Sequence, residues 1–566
     1  MSGPIPELLV EKGMFPENLP PIITGRHIWA ALSPTVGTYM VVKPSIGVPS
    51  TFNASKRGGQ RRMFSIPHPA FVRDQAVFFE KHWADISALI SASPGSASRP
   101  TFHRTGPRHV RLTPHSELPR IRLQALSRFK FCLVTDVSRF FPSVYTHSIP
   151  WAINGKEKAK NDPKHDSSNV FGNRLDFIVR QSQSRQTVGL SIGQDTSKIV
   201  AETIMSAVDS VFLKKSGRIS PVFVRHVDDY WIGGSSHEEC EKHLQNIRAA
   251  LKEFELDINE SKTKIISTKY IFGDDWPSDF ERDIRAAFSD NQYINNGKDP
   301  ISVLAQLVDR STVQNDDGMI RHAIRKIDEG KLWDSDWEML EHFLAQCAVQ
   351  FPHCFDHVAR VIAWRNRTSR PVNRGLWADI ALLTLTQNGA LGRDSEVIWA
   401  LWLLKELKEK LPTKASDIIV ENNGGLVLAV LAHFNKRRLA TDRNLKGKLW
   451  GVVDGTPFSG AFWPLTLEMM HLGIADPIWN RDTAHVSMRS LHNAKVSIID
   501  WDAPPRVFDG EKDKPRPPWL DWQPDAAIED YGDDYGSSTD DDVAEDGDGV
   551  EVVPDALSKN TFDLDF

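Results

Sequence analysis

Val222-Phe223-Val224-Arg225-His226-Val227-Asp228-Asp229-Tyr230-Trp231-Ile232-Gly233-Gly234 is the stretch on which the fold turns. A β-branched run (Val222, Val224, Val227) leads into two aspartates, an aromatic pair follows, and two glycines close it. That is the pattern of a β-hairpin turning on Asp228 and Asp229. The Asp-Asp pair alone carries no weight, since Asp274-Asp275, Asp316-Asp317 and Asp533-Asp534 repeat it. What separates Asp228 and Asp229 is their position between strands that read as buried. Carboxylates at such a turn are costly unless positive charge meets them, and a divalent cation is the economical partner. A second apolar strand, Phe131-Cys132-Leu133-Val134-Thr135, ends on Asp136, a third carboxylate for the same site. Oxygen ligands of this kind suit two Mg2+ ions, an arrangement that activates a 3′-hydroxyl and neutralises a departing pyrophosphate.

Outward from this site, residues 60–275 alternate strand and helix patterns and predict an α+β unit. Met63-Phe64-Ser65-Ile66 reads as a strand, 69–90 as a helix, and the small, polar run 91–99 as a flexible loop. Residues 187–212 begin Gly-rich and become a helix, 238–254 form an amphipathic helix, and 256–266 a returning strand. After about residue 285 helical patterns follow one another, separated by Pro, Gly and Asn breaks, as in a degenerate helical repeat or solenoid. Asp336 and Asp394 or Ser395 are expected N-caps there. The tryptophans Trp333, Trp337, Trp364, Trp377, Trp399, Trp402, Trp463 and Trp479 read as core packing rather than a base-stacking platform. The division is thus 1–285, 286–503 (α-helical) and 504–566, a Pro-rich and then acidic tail expected to be disordered.

The 566 residues carry a formal net charge of −6, which at face value argues against a nucleic-acid partner. The distribution says otherwise. Residues 525–566 hold 15 Asp/Glu and one Lys, whereas residues 1–135 hold 17 Lys/Arg against 7 Asp/Glu. A basic front and an acidic tail point to nucleic-acid contact at one end. The four cysteines show no CxxC spacing, which argues against a zinc or disulfide framework and suits a reducing compartment. No apolar run reaches the roughly 18–20 residues of a membrane helix, and the first thirty residues lack a signal-peptide pattern. The expected location is cytoplasmic.

Five segments carry a family resemblance. Thr135-Asp136-Val137-Ser138-Arg139-Phe140-Phe141-Pro142 resembles motif A of reverse transcriptases, and Arg225-His226-Val227-Asp228-Asp229-Tyr230 resembles motif C, with His226 in the usual aromatic position. Gly189-Leu190-Ser191-Ile192-Gly193-Gln194-Asp195-Thr196-Ser197 is similar to motif B; Gly193 and Ser197 keep the spacing, while Ile192 replaces the usual Gln and Lys198 the usual Pro. Leu256-Asp257-Ile258-Asn259-Glu260-Ser261-Lys262 resembles motif D, and Gly59-Gln60-Arg61-Arg62-Met63-Phe64-Ser65-Ile66-Pro67 the fingers motif. The order is that of the family, over about 210 residues of the chain. The resemblance implies a right-hand polymerase, with fingers and palm in residues 1–285. It makes Asp136, Asp228 and Asp229 the metal ligands for two Mg2+ ions, with Mn2+ able to substitute. It makes Lys262 the motif D lysine near the pyrophosphate and Arg62 the bidentate partner of the incoming triphosphate. Gly193 and Ser197 would line the nucleotide site, and Phe141 would be the gate that crowds a ribose 2′-hydroxyl and favours dNTPs.

Within that family the chain is most similar to bacterial phage-defence reverse transcriptases of the abortive-infection, AbiA/AbiK-like group. The carriers are residues 141–149, the Gly-Leu-Ser-Ile-Gly form of motif B followed by Lys198-Ile199-Val200-Ala201-Glu202, the motif C segment, and Glu396-Val397-Ile398-Trp399-Ala400-Leu401-Trp402 in the helical half. This implies an antiviral role, RNA-directed DNA polymerase chemistry that can run without a template, and a DNA product covalently attached to the protein. It further implies an RNA template or non-coding RNA as partner, homo-oligomers, and a bacterial cytoplasm. Tyr39, on a Gly- and Pro-punctuated segment, is the candidate priming hydroxyl, ahead of Tyr531 and Tyr535. Two rivals stand beside this reading. One is an RNA-dependent RNA polymerase, which would want a polar residue where Phe141 stands. The other is a helical interaction scaffold with a vestigial polymerase half.

Overall fold

The computed structural model describes residues 3–505 apart from 34–37, 218–219, 272–275, 289–298, 456–457 and 476–482. The acidic tail, with Tyr531 and Tyr535, lies outside the described residues, as does Trp479.

A hairpin of β1 (Ser50–Ser55) and β2 (Arg61–Ile66) stands apart from a four-stranded antiparallel sheet. That sheet is built from β3 (Phe131–Thr135), β4 (Phe223–His226), β5 (Asp229–Gly234) and β6 (Lys264–Ser267), in the order β4-β5-β3-β6. Thr135 pairs with Tyr230, Val134 with both Trp231 and Lys264, and His226 with Asp229. Helix α3 (His237–Lys252) packs on β3 and β5, α2 (Asp195–Lys215) packs on α3, and α1 (Pro69–Ser91) packs on α2. Pro69 opens α1, where a missing N–H costs nothing. Ser236 caps α3 by accepting from the Glu239 amide at 3.2 Å, while Glu239 accepts from the Ser235 amide at 2.7 Å.

Around the sheet, the return strand and the segment after α1 differ from what the sequence predicts. The return strand is shorter than 256–266. A 3-10 turn, Glu260–Lys262, precedes β6, because Ile258 bridges Val137 and the Asn259 amide bonds the Asp136 carbonyl, so the segment crosses the end of β3 before pairing along it. Residues 93–98 are no flexible loop. Ser93 and Ser98 are buried, the Ala97 amide donates to the Arg225 carbonyl at 2.7 Å, and the Arg225 amide donates to Gly95 at 2.8 Å. Small side chains permit this approach: a Cβ on Gly95 would meet the Phe223 ring at 2.4 Å.

From Trp276–Ala287 to Thr483–Asn493 every described element is helical. Trp333, Trp377, Trp399, Trp402 and Trp463 are fully buried, as core tryptophans should be. Asp336 caps Trp337–Gln350 by accepting from the Met339 amide. Asp394 is not an N-cap. It is the first residue of α4 (Asp394–Leu407), and its carboxylate takes the amides of Asn53 and Gly424 instead. Ser395 Oγ accepts from the Ser55 amide at 2.9 Å, and Glu396 pairs with Arg61. The free edge of β1 is therefore satisfied by the start of α4. One apolar cluster runs through both halves of the described chain.

Candidate active site

The β4–β5 turn has two residues, Val227 and Asp228, because His226 already pairs with Asp229. Asp229 is thus the first residue of β5, one step later than a turn centred on both aspartates. Val227 adopts φ +55°, a left-handed conformation that a β-branched side chain rarely takes. Continuing the β3–β5 register by one residue sets Asp136 alongside Asp229, so all three carboxylates lie at one end of adjacent strands.

Their electrostatics follow from this placement. Asp228 is 4 % exposed; burial, then the charges of Asp229 and Asp136, push its carboxyl well above the usual range. Burial also raises Asp136, against the pull of Lys262, whose Nζ lies 3.2 Å from Oδ2. Oδ1 of Asp136 is buried without a hydrogen-bond partner. Lys262 reaches this point because the 3-10 turn it ends is tied to the Asp136 carbonyl through Asn259. Among the described residues, no three His, Cys, Asp or Glu side chains are drawn together closely enough to hold one ion in common. Even so, buried like-charged carboxylates with an orphaned oxygen form a donor set that a hard divalent cation fits, and such a cation relieves what raises Asp228.

A second group lies around the turn before α2. Gly193 has φ +103°, and a Cβ there would meet Phe64 and Pro16 at 2.9 Å, so only glycine fits. Gln194 Nε2 donates to the Ser65 carbonyl at 2.8 Å. This turn therefore rests on β2. Arg62, Phe64 and Ile66 alternate onto one buried face of that strand, which sets Arg62 on the Gly193 side. Arg108 braces the turn, donating to the Gly193 carbonyl at 3.1 Å and pairing with Asp195 at 2.6 Å. Ser197 is buried in the first turn of α2. Phe141 is buried beside Phe140, and its carbonyl accepts from the Leu190 amide at 2.8 Å, joining the segment after β3 to the same turn.

Tyr39 sits elsewhere. Its ring packs on Val41, Phe71, Phe177 and Ile178, with the Arg174 guanidinium 5.0 Å from its centroid. Its hydroxyl is buried without a hydrogen bond, and burial pushes its pKa up to about 12.

Residue-by-residue reading missed what lies under the Asp-Asp turn. Arg225 is fully buried between Glu202 and Asp209 on α2, with Ser93, Ser96, Ser98 and Tyr230 completing the network. Burial raises the Glu202 carboxyl, but Arg225, Ser96 and Ser98 together outweigh it and hold it below its usual range. The available signal was the seven-residue spacing of Glu202 and Asp209, which sets both on one helix face, beside an arginine in a strand that reads as buried.

Residues 88–304 match the family model described as "Reverse transcriptase (RNA-dependent DNA polymerase)". The chain thus carries the domain of an RNA-directed DNA polymerase. A comparison with curated proteins gives no match. Similar solved structures include apo telomerase from Candida tropicalis truncated from its C-terminal domain, at 14% identity over 40% of this chain and 51% of that one, TM-score 0.28. Apo telomerase from Candida tropicalis is 13% identical over 66% and 74%, TM-score 0.31. Telomerase from Candida albicans in complex with a TWJ fragment of telomeric RNA is 10% identical over 67% and 62%, TM-score 0.26. The chain spans about half the length of the first of these.

Proposed function

We propose that this chain, with a reverse-transcriptase domain over residues 88–304, is a DNA polymerase acting by two-metal nucleotidyl transfer, with fingers and palm in 1–285 and a helical region in 286–503. The observation that carries the reading is the placement of Asp136, Asp228 and Asp229 at one end of β3 and β5, with Lys262 on Asp136. These three aspartates would hold two Mg2+ ions, or Mn2+ in their place. When bound, the ions would polarise an attacking 3′-hydroxyl and offset the charge of the leaving pyrophosphate. Lys262 holds Asp136 in place and offers a cation near the departing group. Arg62, on the Gly193 side of β2, would take the triphosphate of an incoming dNTP, with Gly193 and Ser197 shaping the floor of that site. Phe141 would exclude a 2′-hydroxyl. Replacing it with alanine should raise ribonucleotide incorporation relative to dNTP by about tenfold or more, the scale of relieving a steric clash, as measured by competing labelled dNTP and NTP.

The motif resemblance supports an anti-phage, abortive-infection role in a bacterial cytoplasm, a homo-oligomer, and an RNA template or non-coding RNA as partner. It also supports protein-primed synthesis. In that step a tyrosine hydroxyl attacks the α-phosphorus of a dNTP, forming an O–P bond as pyrophosphate leaves and the hydroxyl proton passes to solvent. For Tyr39 to be this primer its ring must leave the Arg174 and Phe177 cluster. If Tyr39→Phe leaves protein-linked product unchanged on a denaturing gel, Tyr39 is not the primer.

The decisive experiment incubates purified protein with Mg2+ and each dNTP, with and without nuclease pre-treatment, beside the Asp228→Asn, Asp229→Asn protein. Incorporation by the wild type and none by the variant is expected. Equal incorporation by both would overturn the assignment.

A further inference from the structure

The left-handed Val227 needs a cause, and the structure supplies one. Both backbone polar groups of Val227 are engaged by a single buried network. Its amide donates to Ser98 Oγ at 2.8 Å, and its carbonyl accepts from Arg225 Nη1 at 2.9 Å. Ser98 Oγ in turn donates to Glu202 Oε2 at 2.8 Å, so the hydroxyl gives its proton to the carboxylate and keeps a lone pair for Val227. Arg225 is spread over Glu202 (2.9 Å from both Nη1 and Nη2) and Asp209 (2.9 Å from Nε). Ser96 donates to Glu202 at 2.6 Å, and Tyr230 to Asp209 at 2.5 Å. Arg225 and Asp209 are 0 % exposed, Ser98 1 % and Glu202 3 %.

Buried ion networks are poor devices for stability, since well-packed apolar side chains of the same volume do as well or better. What an apolar core cannot do is donate to the Val227 carbonyl and accept from its amide. We propose that Arg225 and Ser98, tensioned by Glu202 and Asp209, are positioning residues that hold the Val227–Asp228 turn in its left-handed form, and that divalent-cation binding at Asp228 depends on them. Without either bond Val227 relaxes toward ordinary extended or right-handed backbone, and the Asp228 carboxylate moves off the end of β5. This inference rests on the metal-binding reading of the aspartates proposed above.

The test is direct binding of Mn2+ to the intact protein, read by the loss of the free-ion EPR signal, with thermal melting as the check on folding. Ser98→Ala should weaken binding at the Asp228-dependent site by about tenfold, the scale of one lost hydrogen bond. Ser98→Thr, which keeps the hydroxyl, should bind as the wild type does. Thr203→Val removes a buried hydroxyl of α2 that bonds only the Ile199 carbonyl, outside the network; it should leave Mn2+ affinity unchanged. Arg225→Lys keeps the charge but has one nitrogen to share, and should weaken binding as Ser98→Ala does, which keeps the question answerable if Ser98→Ala does not fold. Equal weakening by Thr203→Val and Ser98→Ala, or wild-type affinity in folded Ser98→Ala and Arg225→Lys, would overturn the positioning role. If instead the wild type and Asp228→Asn bind Mn2+ alike, the metal reading itself has failed, a result distinguishable from either.

Discussion

Asp228→Asn should reduce nucleotide incorporation by on the order of a thousandfold or more, while raising the melting temperature of the protein in chelator. The loss follows from the site. In the proposed two-metal reading the metal-held transition state is worth several kcal/mol, and Asn keeps the volume of Asp228 while removing the charge that would hold the ion. The gain in stability follows from the same geometry. Burial and the charges of Asp229 and Asp136 all oppose ionisation of Asp228, so the neutral amide removes a cost the folded chain otherwise bears. Opposite signs for activity and metal-free stability mark a functional charge and not a structural one. Single-turnover incorporation and calorimetry in EDTA measure the two. A variant that loses activity and stability together would mean that Asp228 is structural.

Trp463→Ala should destabilise the protein by about 3–5 kcal/mol and shift one unfolding transition that includes both halves. Trp463 is fully buried at the start of Trp463–His471, lies edge-on to His68 at 5.9 Å, and donates from Nε1 to the Ile66 carbonyl at 3.1 Å across nearly four hundred residues of sequence. Ile66 ends β2, the strand that carries Arg62. The substitution therefore opens a cavity in the helical half and frees an acceptor on the hairpin. Denaturant unfolding followed by tryptophan fluorescence and by far-UV circular dichroism checks this. Coincident curves that move together are expected. Two transitions, only one of which moves, would mean that the halves fold separately.

Much of the candidate site was legible from residues alone, for a local reason. β3 and β5 are short and largely apolar, Asp136 follows the first and Asp229 opens the second, and each signal lies within a window of about ten residues. Asp136, Asp228 and Asp229 could be grouped because buried carboxylates are rare enough to need one another or a cation. Asp336 as an N-cap was legible because capping is read three residues away. Asp394 misled because the same residue type serves equally well as acceptor for amides from a distant strand, and nothing near it in sequence says which.

The run Ser93–Arg99 shows the boundary most clearly. As sequence it is small, polar and loop-like. In the folded chain it lies against β4, and its hydroxyls hold Glu202, Asp209 and Val227. A serine in a linker and a serine in a buried network have the same local pattern; only a neighbouring carboxylate more than a hundred residues away distinguishes them. Composition, periodicity and motif order by themselves gave β3, the β4–β5 hairpin to within a residue of its turn, and the three carboxylates beside them. The tertiary structure alone decided how the Val227–Asp228 turn is held, how β1 is sealed by α4, and where Tyr39 rests. Each of these depends on hydrogen bonds and burial between segments far apart in the chain, and such contacts leave no periodic trace in either partner.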